Sequence, residues 1–200
     1  MFAKSHLFVF VWVILVGAGV HFMGRYSLTP GTAANPPQNW PEVDELPVRL
    51  ESATLVMFAH PRCPCTRASV GELARIMSRC QDLVSAYVVF MRYDGTSEDW
   101  ARTDLWEQAA SIPGVQVIAD EAGQLARQFA VSTSGDTVVY GTNGRLIFHG
   151  GVTPSRGHFG DNAGHSAIVS LLTRGVSKET QTAVFGCPLW NGLELPEETK

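Results

Sequence analysis

Two cysteines one residue apart, Cys63 and Cys65, stand in the stretch AHPRCPCTRAS at positions 59–69, between an apolar run and the start of a helical pattern. Thiols at that spacing can form a redox couple, clamp a metal or fill a buried turn. Pro64 favours the first. A residue before proline is driven out of the α region, so Cys63 is expected at the N-cap of the next helix, with Pro64 at the preferred first position. The sulfur then faces free backbone N–H groups, those of Cys65 and Thr66, and the positive end of the helix dipole. Such surroundings lower a thiol pKa from about 8.5 into the range of roughly 3.5 to 7.5. Arg62 and Arg67 flank the site and add positive charge. Cys63 is the expected nucleophile.

Cys65 is the expected resolving thiol. Residues two apart in a regular helix point about 200° away from each other, so helical geometry alone forbids a bridge. The extended backbone that Pro64 imposes on Cys63 relieves this, since a Cα separation below about 7 Å suffices. A strained bridge of that kind is easily reduced, which suits an oxidant or an isomerase-type exchanger. Cys80, at the end of the helical stretch, reads as a buried small residue. Cys187, in FGCPLW, lies in an apolar tail that must pack on something. It pairs either with Cys80 as a structural staple or with the C-P-C as a third redox thiol, and sequence leaves both open.

These groups must be positioned by 200 residues, enough for one domain plus extensions. With 45% apolar residues, 19 glycines and 11 prolines, the chain has the make-up of an ordinary globular protein. Fifteen basic side chains against 19 acidic ones give a formal charge of −4 with no basic run, so the electrostatic footprint of nucleic-acid binding is missing. Four cysteines are too few for a disulfide scaffold.

The compartment is read from the N-terminus, where LFVFVWVILVGAGVHFM, residues 7–23, lies between Lys4 and Arg25. It falls at the short end of the roughly 17 to 25 residues that span a bilayer and exceeds the roughly 7 to 15 of a secretory signal. Ala18 would tolerate cleavage, but the apolar character continues through Val20, Phe22 and Met23, which suits an uncleaved anchor over residues 1–26. With the short Lys4 tail in the cytoplasm, the rest of the chain lies on the far side, in the periplasm or its equivalent, where thiols meet oxidising conditions. Residues 27–50, rich in Pro, Asn, Thr and Gly, read as a tether.

Residues 51–176 then alternate strands and helices. Strands are expected at 54–59, 86–93 and 115–120, helices at 67–77, 104–111, 121–130 and 162–175, and a hairpin over 137–152 with Thr142, Asn143 and Gly144 in its turn. The order is βαβ, a helical crossover, then ββα. This is an α/β architecture, a mixed sheet covered by helices on both faces, followed by a tail over 177–200.

That order, with a cysteine where the first strand meets the first helix, resembles the thioredoxin-fold superfamily. The membrane-tethered thiol-disulfide oxidoreductases of bacteria carry W-C-P-P-C-R-A-E-x-P-E-L, and RCPCTRASVGEL aligns to it without a gap. In that register Cys63 matches the nucleophile, Cys65 takes the second proline's place and Thr66 stands where the resolving cysteine should be. The combination of H-P-x-C-P-C-x-R-A-S with SRGHFGDNAG and a terminal FGCPL is similar to the RedB-like thioredoxin-fold proteins. The resemblance runs from about residue 47 to residue 189.

The resemblance implies further site residues. The superfamily's cis-proline loop aligns with STSGDTVVYGTNG, in which Gly135 stands in the proline's place and Thr133 and Ser134 present backbone groups to an extended peptide. The loop TPSRGHFGDNAGH, 153–165, borders the active-site edge in this fold. There Arg156 is expected to stabilise a thiolate and His158 to move a proton or bind metal, while Asp161 or Asn162 caps the final helix. His60, Cys63, Cys65 and His158 also compose a soft-ligand set for Cu(I) or Zn(II), so a metallochaperone is the main alternative. A tethered binding module without chemistry is the third. The expected function is a membrane-anchored, extracytoplasmic thiol-disulfide oxidoreductase that exchanges electrons with a protein dithiol or disulfide and needs no cofactor.

Overall fold

The structure is a computed structural model that describes residues 2–43, 46 and 51–190; parts of the expected tether (44–45 and 47–50) and of the expected tail (191–200) lie outside them. The chain opens with α1 (Phe2–Leu28), whose His6–Leu28 portion is long and apolar enough to cross a membrane and is nowhere buried. Its 23 residues span about 35 Å at 1.5 Å per residue, against a hydrocarbon core of about 30 Å.

The elements that follow are β1 (Ala53–Ala59), α2 (Pro64–Cys80), β2 (Val84–Arg92), a 3-10 turn at Glu98–Ala101, α3 (Asp104–Ala110), β3 (Val115–Glu121), α4 (Gln124–Gln128), β4 (Asp136–Tyr140), β5 (Leu146–Gly151) and α5 (Ala163–Arg174). They form one five-stranded sheet in the order β3-β2-β1-β4-β5. The first three strands are mutually parallel, β4 runs antiparallel to β1, and β5 antiparallel to β4. A βαβ unit (β1, α2, β2) and a ββα unit (β4, β5, α5) thus join where β4 pairs with the central strand β1 in a thioredoxin-like fold, with β3 added at the β2 edge.

Central position explains the sequence of β1. Leu55, Met57 and Ala59 enter one core and Val56 and Phe58 the other, so the strand is an unbroken apolar run instead of an alternating one. On the first face α2 contributes Leu73, Ile76, Met77 and Cys80, α3 contributes Leu105 and Ala109, and α5 contributes Ala167 and Ile168. The second face is covered by Leu125, Ala126 and Phe129 from α4 and its end, together with Ala34 and Leu46.

Two segments depart from the sequence expectation. The helix expected over 121–130 shrinks to α4, because Glu121 still belongs to β3 and Gly123 takes a left-handed conformation (φ 68°). Asp120 then caps the late start, its carboxylate accepting the N–H groups of Leu125 and Ala126 at 2.8 and 2.9 Å. The described part of the tether is a strap. Trp40 sets its ring edge-on to Phe129 and Tyr140, the Tyr140 hydroxyl donates to Pro37 O, and Leu146 N–H donates to Gln38 O. The apolar anchors Ala34, Trp40 and Leu46 come only once in six residues, too sparse to mark a helical or strand face, so the packing left no pattern to read.

Candidate active site

Cys63 stands at the N-cap of α2 with extended backbone (φ −93°, ψ 122°) and Pro64 at the head of the helix. Its side chain is 2% exposed. The thiol pKa is pulled down to about 5, first by the Cys187 thiol and then, against the opposing cost of burial, by the N–H groups of Cys187, Cys65 and Thr66. Donors gathered on one sulfur favour the thiolate there. The Cys63 and Cys187 sulfurs lie 2.7 Å apart, and the bond to Cys63 first, then burial, push the Cys187 pKa upward as that of Cys63 falls.

The tail brings Cys187 to this position by a defined route. Beyond α5 it runs beside β5, where His149 N–H donates to Thr180 O at 3.0 Å and Thr182 N–H to His149 O at 3.2 Å. It then crosses Gly151, where a Cβ would come within 2.5 Å of Ala183 O. Gly31 N–H donates to Val184 O, and the Arg156 guanidinium donates to Gly186 O. At the end Ser134 N–H donates to Cys187 O and Leu189 N–H to Ser132 O, each at 2.8 Å, with Thr133 opposite Pro188 in antiparallel register. Tyr93 OH closes on Leu189 O, and Arg127 covers the Trp190 ring.

The other expected residues fall into two groups. Cys65 is buried, and its sulfur lies with those of Cys63 and Cys187 in a cluster in which all three are within 4.8 Å of one another. Burial first, then the Cys63 charge, raise its pKa. Arg156 is at the site, but its charge acts on Cys65 and Cys187, and its guanidinium lies over the Tyr26 ring. Arg67 turns away to pair with Asp104 at the head of α3. His158 is exposed, with its ring on Arg156 O, and His60 is buried against Tyr93 and Trp100 with Nδ1 accepting from Arg62 N–H. The expected metal set of His60, Cys63, Cys65 and His158 is therefore corrected: among the described residues the soft-ligand cluster is three cysteines and no histidine. The alternative staple between Cys80 and Cys187 is likewise replaced, since Cys80 sits in the first core while Cys187 meets Cys63.

The loop 132–135 is built to receive a strand on one side only. Gly135 N–H points inward to Phe58 O, and its backbone (φ 90°) places a would-be Cβ 2.7 Å from Ser69 Oγ, so a side chain is excluded there. Thr133 spends its hydroxyl on Thr32 O. The 153–165 loop is fixed by buried Glu72, which accepts from Gly160 N–H and meets His165 Nδ1 at 2.9 Å, and Asn162 caps α5 through His165 N–H. Sequence reasoning missed Ser132, whose carbonyl pairs with the tail, and Gly186, where a Cβ would run into the Ser134 carbonyl. The one signal available was the G-C-P run itself, a glycine beside a cysteine in an otherwise apolar tail.

No protein-family model matches the chain, and no curated protein matches it in sequence. Solved structures do resemble it. An uncharacterized conserved protein from Geobacillus kaustophilus superposes with a TM-score of 0.60 at 20% identity, over 84% of this chain and 95% of that one. The hypothetical protein SMc02350 from Sinorhizobium meliloti 1021 does so with 0.60 and 20%, over 83% and 97%. The exposed lipoprotein thioredoxin Etrx1 of Streptococcus pneumoniae gives 0.45 at 18% identity, over 69% and 98%. The first two share the fold of this chain.

Proposed function

We propose that the chain is a membrane-anchored, extracytoplasmic thiol-disulfide oxidoreductase of the RedB-like kind, exchanging disulfides with a partner protein through Cys63. The observation that carries this reading is a thiol with its pKa near 5 at a helix N-cap, beside two more thiols. A thiolate at neutral pH can attack a partner disulfide, and a neighbouring thiol can then release the mixed disulfide. Cys65 and Cys187 are both within reach for that second step. The cycle runs on thiols alone and calls for no cofactor. In this reading residues 1–26 anchor, 27–50 connect, 51–176 carry the chemistry, and 177–200 supply the third thiol. Redox titration of the detergent-solubilised protein, with alkylation of each thiol and metal analysis on the same sample, tests it. Reversible two-electron oxidation that consumes Cys63 is expected, and a Cys63 that stays reduced at every potential would remove the reading.

The three-sulfur cluster favours a second reading, a carrier of Cu(I) or Zn(II), for which thiolates are suitable ligands. It predicts about one ion bound per reduced chain through gel filtration, lost on replacing Cys63 or Cys65. Metal-free protein with a reversible disulfide decides for the oxidoreductase.

A further inference from the structure

The edge at residues 132–134 can serve one extended strand at a time. Its two outward groups, the Ser132 carbonyl and the Ser134 N–H, are both taken by the tail. Pro188 occupies the place in this short ladder whose N–H would point away from the edge, so its ring removes no bond. The result is an extended segment that presents a cysteine sulfur to the nucleophile at 2.7 Å. Geometrically, that is what a partner protein would have to do.

We propose that residues 186–190 are a resident substitute for the partner, occupying the groove where a cysteine-bearing segment of the partner docks, and that Cys187 is the resolving thiol that expels it. The proposal rests on the oxidoreductase reading above. With the tail lifted, the Cys63 thiolate attacks one sulfur of the partner disulfide; a Cys63–partner bond forms, the partner's own S–S bond breaks, and its second sulfur leaves as thiolate. When the tail returns, Cys187 gives its proton to that leaving thiolate and attacks the Cys63 sulfur. The Cys63–Cys187 bond forms, the bond to the partner breaks, and the released sulfur takes a proton from water. Two electrons have passed from the Cys63–Cys187 dithiol to the partner disulfide.

Two features of the tail support this assignment. The Cys63 sulfur, 2.7 Å away, is the first cause raising the Cys187 pKa, and that cause ends once Cys63 is itself bonded; burial continues to raise it, and the nearby Arg156 charge opposes burial. The groove also imposes a residue pattern. The position before the cysteine tolerates no Cβ against Ser134 O, and the position two after it is buried at Leu189 in the second core. The partner segment is therefore glycine, cysteine, any residue, then a large apolar residue.

The test uses the full-length protein in detergent and a peptide of the tail's own sequence, FGCPLW, with its cysteine activated as a 2-thiopyridyl mixed disulfide; 2,2′-dithiodipyridine serves as the small reagent that needs no docking. Wild type and Cys65→Ser should release free peptide and map to a Cys63–Cys187 disulfide. Cys187→Ser should hold the Cys63–peptide adduct at least tenfold longer, and Cys187→Ala, which keeps the backbone bonds of the tail, repeats the measurement if the serine variant misfolds. Gly186→Val, which lifts the tail, should raise the ratio of peptide rate to small-reagent rate at least tenfold. A Cys63–Cys65 disulfide in wild type, with adducts persisting only in Cys65→Ser, overturns the proposal while the oxidoreductase stands. A Cys63 inert to both reagents removes the oxidoreductase itself.

Discussion

The hydroxyls of Thr66 and Ser134 meet at 2.8 Å beside the thiol cluster and close a ring of hydrogen bonds. Thr66 donates to His60 O and His60 N–H donates to Ser134 Oγ, so the remaining Ser134 proton must go to Thr66. The ring ties the end of β1, the first turn of α2 and the strand-docking loop into one unit. Thr66 stands where the aligned enzymes carry their second cysteine, and here that position holds structure while the third thiol comes from the tail.

Thr66→Val removes both side-chain bonds, leaving His60 O with Cys63 N–H alone and the buried Ser134 hydroxyl proton without its acceptor. A loss of about 1 to 3 kcal/mol is expected in urea unfolding, with Thr66→Ser retaining most of the stability. A valine variant as stable as wild type would show that the ring contributes nothing.

Cys63 should alkylate with a pH midpoint near 5, and its rate should level off above about pH 6 as the thiolate fraction saturates. The Cys187 thiol is the first cause of that depression, so Cys187→Ala should move the midpoint upward. Iodoacetamide rates followed by peptide mapping measure both. An unmoved midpoint would assign the thiolate to the backbone N–H groups alone.

Much of the scaffold was legible because both faces of the sheet are covered. Continuous apolar runs marked β1 and β2, helical spacing marked α2, and Pro64 marked the N-cap at Cys63. Cys187 reaching Cys63 was legible only as one of two open pairings, because the choice depends on contacts 124 residues apart in sequence, made by a segment without periodic structure. Arg67 illustrates the converse. Its closeness in sequence suggested a role at the thiol, but Asp104, brought near by the packing of α3, takes its charge.

Asp136 is buried at the start of β4, and neither carboxylate oxygen has a hydrogen-bond partner among the described residues. Burial pushes its pKa up to about 7. Unfolded, the group ionises near pH 3.9. Between those values the folded state binds more protons, so stability is fully present below about pH 4, falls as pH rises, and levels off above about pH 7 with a deficit of roughly 4 kcal/mol. Asp136→Asn should flatten this profile, gaining stability at pH 8 and little at pH 4. Parallel profiles for the two proteins, measured by denaturant midpoint, would mean that Asp136 is not the titrating group.

The strap and the apolar N-terminal helix should separate in truncation. The last turn of α1 touches the body through Tyr26 under Arg156 and Ser27 O accepting Arg156 N–H, so deleting residues 1–26 removes a ring contact worth about 0.5 to 1 kcal/mol and leaves the strap in place. That variant should dissolve without detergent and keep nearly the wild-type unfolding midpoint. Deleting residues 1–40 also removes Trp40 from Phe129 and Tyr140, together with the bonds that Pro37 and Gln38 make to β4 and β5. Trp40→Ala alone should cost about 3 kcal/mol, and the longer deletion more. If full-length protein with its N-terminus intact is soluble without detergent, the anchor is wrong; if Trp40→Ala leaves the midpoint unchanged, residues 27–43 serve as a tether after all.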